Sequence, residues 1–150
     1  MNDDKNSLAI SLFSEVLAAD QMIRNRLHRV LPKGMEISHF SVLHHLAWHE
    51  GERSPAQLAE TFNVTRGAMT NTLNRLEWAG YVHIRPDWDD ARRKMVALSP
   101  AGRRARDQAL SAIAPMVSDV IDKLGEGAVR ATVPILRQMR AELSDKVKPD

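Results

Sequence analysis

Hydrophobic positions along the chain follow a helical period, switch briefly to a strand period, and return to a helical one. Leu8, Leu12, Val16, Ile23, Leu27, Val30 and Leu31 recur mostly at steps of three or four, which predicts an amphipathic helix over 8–31. Pro32-Lys33-Gly34 ends it. Val42, Leu43, Leu46 and Ala47 mark the apolar side of a second helix that runs to about His49, with Ser38 as its expected N-cap and Glu50-Gly51-Glu52 as its break. Ser54-Pro55-Ala56-Gln57 is a strong start signal. Ser54 stands at the N-cap, Pro55 at the first helical position, and Gln57 where it closes a capping box. Leu58, Ala59 and Phe62 give this short helix a buried side. Asn63 tolerates the left-handed backbone of a tight turn. Thr65 then caps a helix over about 66–79 with Met69, Leu73 and Leu76 inward, and Gly80 stops it.

The period changes at Tyr81-Val82-His83-Ile84-Arg85 and at Lys94-Met95-Val96-Ala97-Leu98, which alternate as strands do. The polar stretch from Pro86 to Arg93 between them predicts a β-hairpin with an extended tip. Ser99-Pro100 repeats the N-cap and first-turn signal. It opens a long helix to about Leu124, with Ala105, Ala109, Ile113, Val117, Val120 and Leu124 in register and Pro115 inside. Gly125 and Gly127 separate a last helix carrying Val129, Val133, Leu136, Met139 and Leu143, with Pro134 within it. The expected fold class is mainly α with a small β-hairpin wing. It is a winged helix-turn-helix over roughly 54–99 with helical extensions on both sides.

The outer side of the 66–79 helix carries Arg66, Gly67, Thr70, Asn71, Asn74 and Arg75, with no carboxylate between Arg66 and Arg75. Asn suits adenine, Arg suits guanine, and Thr suits either, so this face matches base edges and phosphates. Gly67 and Ala68 are small enough for close approach, and the free N–H groups of a helix N-terminus attract phosphate. The hairpin tip sets Asp87, Asp89 and Asp90 beside Arg92 and Arg93. Acids there make sense if Asp87 or Asp90 orients an arginine, which can enter a narrow minor groove. Charge agrees with this placement. The formal net charge is +2, yet residues 51–106 hold 10 basic and 6 acidic side chains, an excess of +4.

Composition narrows the alternatives. Hydrophobic residues make up 43% of the 150 residues, enough for a packed core, and aromatics only 5%, which favours helices over a sandwich. There is no Cys, so disulfides, thiolate metal sites and thiol redox chemistry are excluded. No apolar run reaches membrane-spanning length, and the polar N-terminus is not a signal peptide, so a cytoplasmic location without a membrane partner is expected. No nucleophile–base pair, phosphate loop or carboxylate constellation points to an enzyme, and no cofactor or metal is assigned.

Asn74-Arg75-Leu76-Glu77-Trp78-Ala79-Gly80-Tyr81-Val82, then Asp87-x-x-Asp90-x-Arg92, then Leu98-Ser99 with Gly102, resembles the MarR (multiple-antibiotic-resistance regulator) family over about 8–145. The resemblance implies a single domain over 1–150, with a DNA-binding lobe at about 50–100 and dimerisation helices at about 8–31 and 100–146. It implies a homodimeric transcription regulator on a pseudo-palindromic operator in double-stranded DNA. Arg92 would be the minor-groove arginine, with Arg93 beside it. Thr65, Arg66, Thr70, Asn71 and Arg75 would face the major groove or its phosphates, and Ser54 and Gln57 the backbone. Ala91 and Trp88 depart from the family's usual Arg and Pro. A small aromatic effector is also implied, with Trp48, His44, Met22 and Met35 as candidate lining residues.

Two other readings compete. His45 and His49 are spaced four apart with His44 adjacent, a spacing open to a metal, so a metal-responsive regulator of the same fold is one. The other is a helical protein-interaction module without DNA binding.

Overall fold

The computed structural model describes residues 3–49 and 51–144. Glu50 and the end of the expected C-terminal helical segment, residues 145 and 146, lie outside them. The element order is α1 (Asp3–Val30), α2 (Ile37–Trp48), α3 (Pro55–Phe62), α4 (Arg66–Trp78), β1 (Val82–Pro86), β2 (Lys94–Leu98), α5 (Pro100–Leu124) and α6 (Glu126–Glu142). The chain divides into two compact units, Met1–Ile113 and Ala114–Asp150.

Three expected boundaries shift. α1 begins at Asp3 rather than Leu8, because Asp3 and Asp4 favour the positive end of the helix dipole although they carry no apolar stripe. The N-cap of α2 is Glu36, not Ser38. The backbone is extended at Glu36 (φ −85°, ψ 162°), and Ser38 already lies in the first turn. Gly127 lies inside α6. Gly125 alone forms the break, at φ 92°.

The core of the first unit is built where the helical stripes converge. Val42, Leu43 and Leu46 of α2 meet Leu58 and Ala59 of α3, Met69, Leu73 and Leu76 of α4, Val82 and Val96 of the hairpin, and Ala105 of α5. Each fully buried aliphatic side chain contributes about 1.5–3 kcal/mol. β1 and β2 pair antiparallel, with Val82 opposite Leu98 and Ile84 opposite Val96. Arg53 adds a one-residue third strand: its N–H donates to the Val96 carbonyl at 3.0 Å, and the Val96 N–H donates back at 2.7 Å.

The hairpin is tied to α5 at one close crossing. The Ser99 hydroxyl donates to the Gly80 carbonyl at 2.6 Å and accepts the Gly102 N–H at 2.9 Å. The Ser99 N–H reaches the Tyr81 carbonyl at 3.0 Å. A β-carbon on Gly102 would lie 2.0 Å from that same carbonyl oxygen, so only glycine fits.

Other faces are uncovered. α1 has no buried residue and exposes Leu8, Ile10, Leu12, Leu17 and Ile23. In the second unit, α6 also has none and exposes Val133, Ile135 and Leu136, and Leu143 at its C-cap is exposed as well. No helix among the described residues is long and apolar enough to cross a membrane.

Candidate nucleic-acid interface

The helix-turn-helix is assembled by local hydrogen bonds. The Ser54 hydroxyl accepts the Gln57 N–H at 3.2 Å, and the Gln57 side-chain oxygen accepts the Ser54 N–H at 2.9 Å. Asn63 adopts the left-handed conformation at φ 52°, closing a three-residue turn. Thr65 Oγ1 then accepts the Ala68 N–H at 3.1 Å and starts α4.

With Met69, Leu73 and Leu76 held inside, Arg66, Gly67, Thr70, Asn71 and Asn74 are all exposed. Thr65 and Gln57 are exposed beside them. Ser54 is buried, and its hydroxyl is used by the cap, so it positions Gln57 instead of presenting itself. Nothing lies within 4 Å of a β-carbon placed on Gly67, so the gap at the helix N-terminus opens outward. Arg75 is at the surface but not free: its Nη1 stands 3.4 Å from Glu36 Oε1. The carboxylate-free face therefore has an acid at its edge, supplied by a residue that the linear pattern did not bring into view.

The wing tip is closed by its own backbone. The Asp87 N–H donates to the Arg93 carbonyl at 2.9 Å, and the Arg93 N–H to the Asp90 carbonyl at 2.9 Å. Asp90 holds Arg92: its carboxylate accepts from Arg92 Nε at 3.1 Å, from Nη2 at 3.3 Å, and from the Arg92 N–H at 3.1 Å. These bonds keep the Asp90 carboxyl below the usual carboxylate range, the Arg92 side chain being the largest cause. The Asp87 carboxylate instead accepts the Asp89 N–H at 3.0 Å, so it shapes the turn. Arg92 and Arg93 are both exposed.

Glu52 was not among the residues that the sequence singled out. It accepts from Arg85 Nε at 3.1 Å and pairs with Nη2 at 2.6 Å. The Arg85 guanidinium carbon in turn lies 3.7 Å from the centre of the Trp88 ring.

The histidines of α2 and of its C-cap, His49, face other groups. His45 and His49 have ring centres 4.5 Å apart, but Arg53 Nη2 stands 2.6 Å from His49 Nδ1, a cation where a metal would bind. Among the described residues no group of three His, Asp or Glu side chains is arranged to hold a metal. Burial lowers the pKa of His44 and His45. Arg106 lowers His44 further, and His49, Arg53 and His44 lower His45 further.

Two clefts lie in the first unit. One, of about 280 Å³, includes Met35, His39, Arg75 and Tyr81 in its lining. The other, of about 350 Å³, is lined by Phe40, Ser41, His44, His45, Trp48 and Phe62. Met22 lines neither.

A capped helix-turn-helix, a polar exposed helix and a hairpin wing anchored on the next helix are now in place. Residues 33–93 match the sequence model of the MarR family. Over that segment the chain is similar to the MarR family. Its fold is shared with solved transcription regulators of the MarR family. The chain is 27% identical over 145 residues to the uncharacterized HTH-type transcriptional regulator YdgG of Bacillus subtilis (strain 168), covering 95% of both. It shares its fold with a mutant MarR from E. coli solved with operator DNA, at TM-score 0.77, 22% identity, 87% of this chain and 94% of that one. It also shares it with BpsR of Bordetella bronchiseptica, whose structure concerns regulation of DNA binding by 6-hydroxynicotinic acid, at TM-score 0.75, 20% identity, 84% of this chain and 90% of that one.

Proposed function

We propose that the protein is a homodimeric, cytoplasmic regulator that binds a pseudo-palindromic operator and is controlled by a small aromatic effector. The observation that carries this reading is the exposed polar face of α4, bordered by a wing that presents an oriented, 90% exposed Arg92.

Arg66, Thr70, Asn71 and Asn74 enter the major groove, with Gly67 giving room for close approach. Thr65 and Gln57 lie toward the phosphates. Ser54 supports them through the α3 cap, and Arg75 reaches a phosphate by leaving Glu36. Arg92, with Arg93 beside it, enters the flanking minor groove, where Asp90 sets its direction and Asp87 the turn.

Dimerisation is supported by the apolar faces of α1 and α6, since pairing two copies would remove them from water at about 25 cal/mol per Å². The DNA-binding lobe at about 50–100 would then stand twice, with α1 and the helices after residue 100 as its support. An aromatic effector is supported by the two clefts and by the fold shared with BpsR. It must bind two lobe spacings unequally to change affinity.

Selection of bound duplexes from a random library tests the reading. A two-fold symmetric motif with half-sites about one helical turn apart is expected. A protein that selects nothing at low salt, or an asymmetric single site, overturns it. Sedimentation of the free protein checks the dimer.

A further inference from the structure

The wing tip raises an electrostatic difficulty. Residues 87–93 hold three aspartates and two arginines, so the loop assigned to DNA carries a net charge of −1. Charge alone does not draw this loop to a polyanion. The same loop carries Trp88, whose surface is 86% exposed.

An exposed indole would ordinarily sample many rotamers, yet this one has a fixed support. Arg85 is held by Glu52 through one hydrogen bond, Nε to Oε1 at 3.1 Å, and an ion-pair contact of Nη2 with Oε2 at 2.6 Å. Arg85 Nη1 also donates to the Pro86 carbonyl at 2.8 Å. The guanidinium is thereby fixed, and its carbon lies over the Trp88 ring, 3.7 Å from the ring centre. One ring face is on the guanidinium and the other is open. Glu52 also cancels the charge of Arg85, so Arg85 serves as a platform more than as a cation for DNA. The loop is closed on both sides of Asp90 by backbone bonds to Arg93, so ring and arginine are carried by one ordered turn.

We propose that Trp88 is a second DNA contact of the wing. It packs its open face on the deoxyribose wall of the minor groove that receives Arg92, with Arg85 and Glu52 as positioning residues. The contact is apolar and reads no base. It supplies affinity where the loop's charge does not, and it releases no counterions. The proposal rests on the reading that the wing meets duplex DNA.

The test uses the full chain with Trp48→Phe and Trp78→Phe, leaving Trp88 as the sole indole, and a duplex selected by the wild-type protein. On binding, Trp88 emission should shift and its quenching by acrylamide should fall. Trp88→Ala should weaken binding about tenfold, as loss of a buried apolar contact does, without changing the slope of log affinity against log salt. Trp88→Phe should restore most of the loss. Glu52→Gln frees the charge of Arg85 in either background, so the loss of the platform should show as coupling: its effect on affinity should be less favourable with Trp88 present than in Trp88→Ala. An indole equally accessible in free and bound protein, or wild-type affinity in Trp88→Ala, overturns the proposal. If Arg92→Ala still weakens binding in that case, the wing assignment stands and only the Trp88 contact falls. A wild-type protein that selects no duplex overturns both.

Discussion

Arg92 donates from Nε to Asp90 Oδ1 at 3.1 Å while 90% of its side chain stays exposed. An exposed pair of this kind adds little to stability, so its worth lies in direction. Arg92→Ala removes one cation from each subunit, so it should lower the salt slope of DNA binding by about two units for the dimer. Asp90→Asn should leave affinity unchanged or lower it in the wild-type background. In Arg92→Ala it should raise affinity, because only the repulsive carboxylate then remains. Polarisation titrations of the double-mutant cycle check this reversal.

Two glycines should respond oppositely to alanine. At Gly102 the added carbon would meet the Tyr81 carbonyl at 2.0 Å, so Gly102→Ala should destabilise by about 2–4 kcal/mol through a forced shift of the wing junction. At Gly67 nothing lies within 4 Å, so Gly67→Ala should stabilise α4 by up to about 1 kcal/mol. It should also weaken DNA binding by filling the gap. Urea unfolding and DNA titration separate the two effects.

Neighbouring positions on α4 should divide stability from binding. Leu73 is 1% exposed, so Leu73→Ala should cost about 2–5 kcal/mol by leaving a cavity. Asn74 is exposed, so Asn74→Ala should stay within about 0.5 kcal/mol in stability while losing affinity for the selected duplex.

His39, His44 and His45 all have pKa values lowered below 6.5, in each case mainly by burial. Near pH 6 the unfolded chain therefore binds protons that the folded chain resists. Stability should be full above the unfolded value of about 6.5 and fall as pH drops through it. Unfolding midpoints between pH 8 and pH 5 check the direction. His39 Nδ1 accepts the Glu36 N–H at 3.2 Å, a bond that protonation removes. His39→Gln keeps an acceptor there and should flatten the pH dependence.

The helix-turn-helix was legible in the sequence because its signals are local. Ser54 and Gln57 bond each other three residues apart, Thr65 caps across the same distance, and Asn63 and Gly80 stand where the backbone turns left-handed. The error at the start of α2 has the same origin. Ser38 looked like a cap by type, but the backbone turns at Glu36, and the acceptor at the third helical position is a histidine.

Sequence alone thus determined the element order, the inward stripe of Met69, Leu73 and Leu76, and the polar character of the opposite face, since each depends on spacings of a few residues. Tertiary structure decided which charges meet. Glu36 reaches Arg75 from 39 residues away, Glu52 reaches Arg85 from 33, and Arg106 reaches His44 from 62. Those pairings depend on how packed elements aim flexible side chains across space, a geometry that no local period encodes.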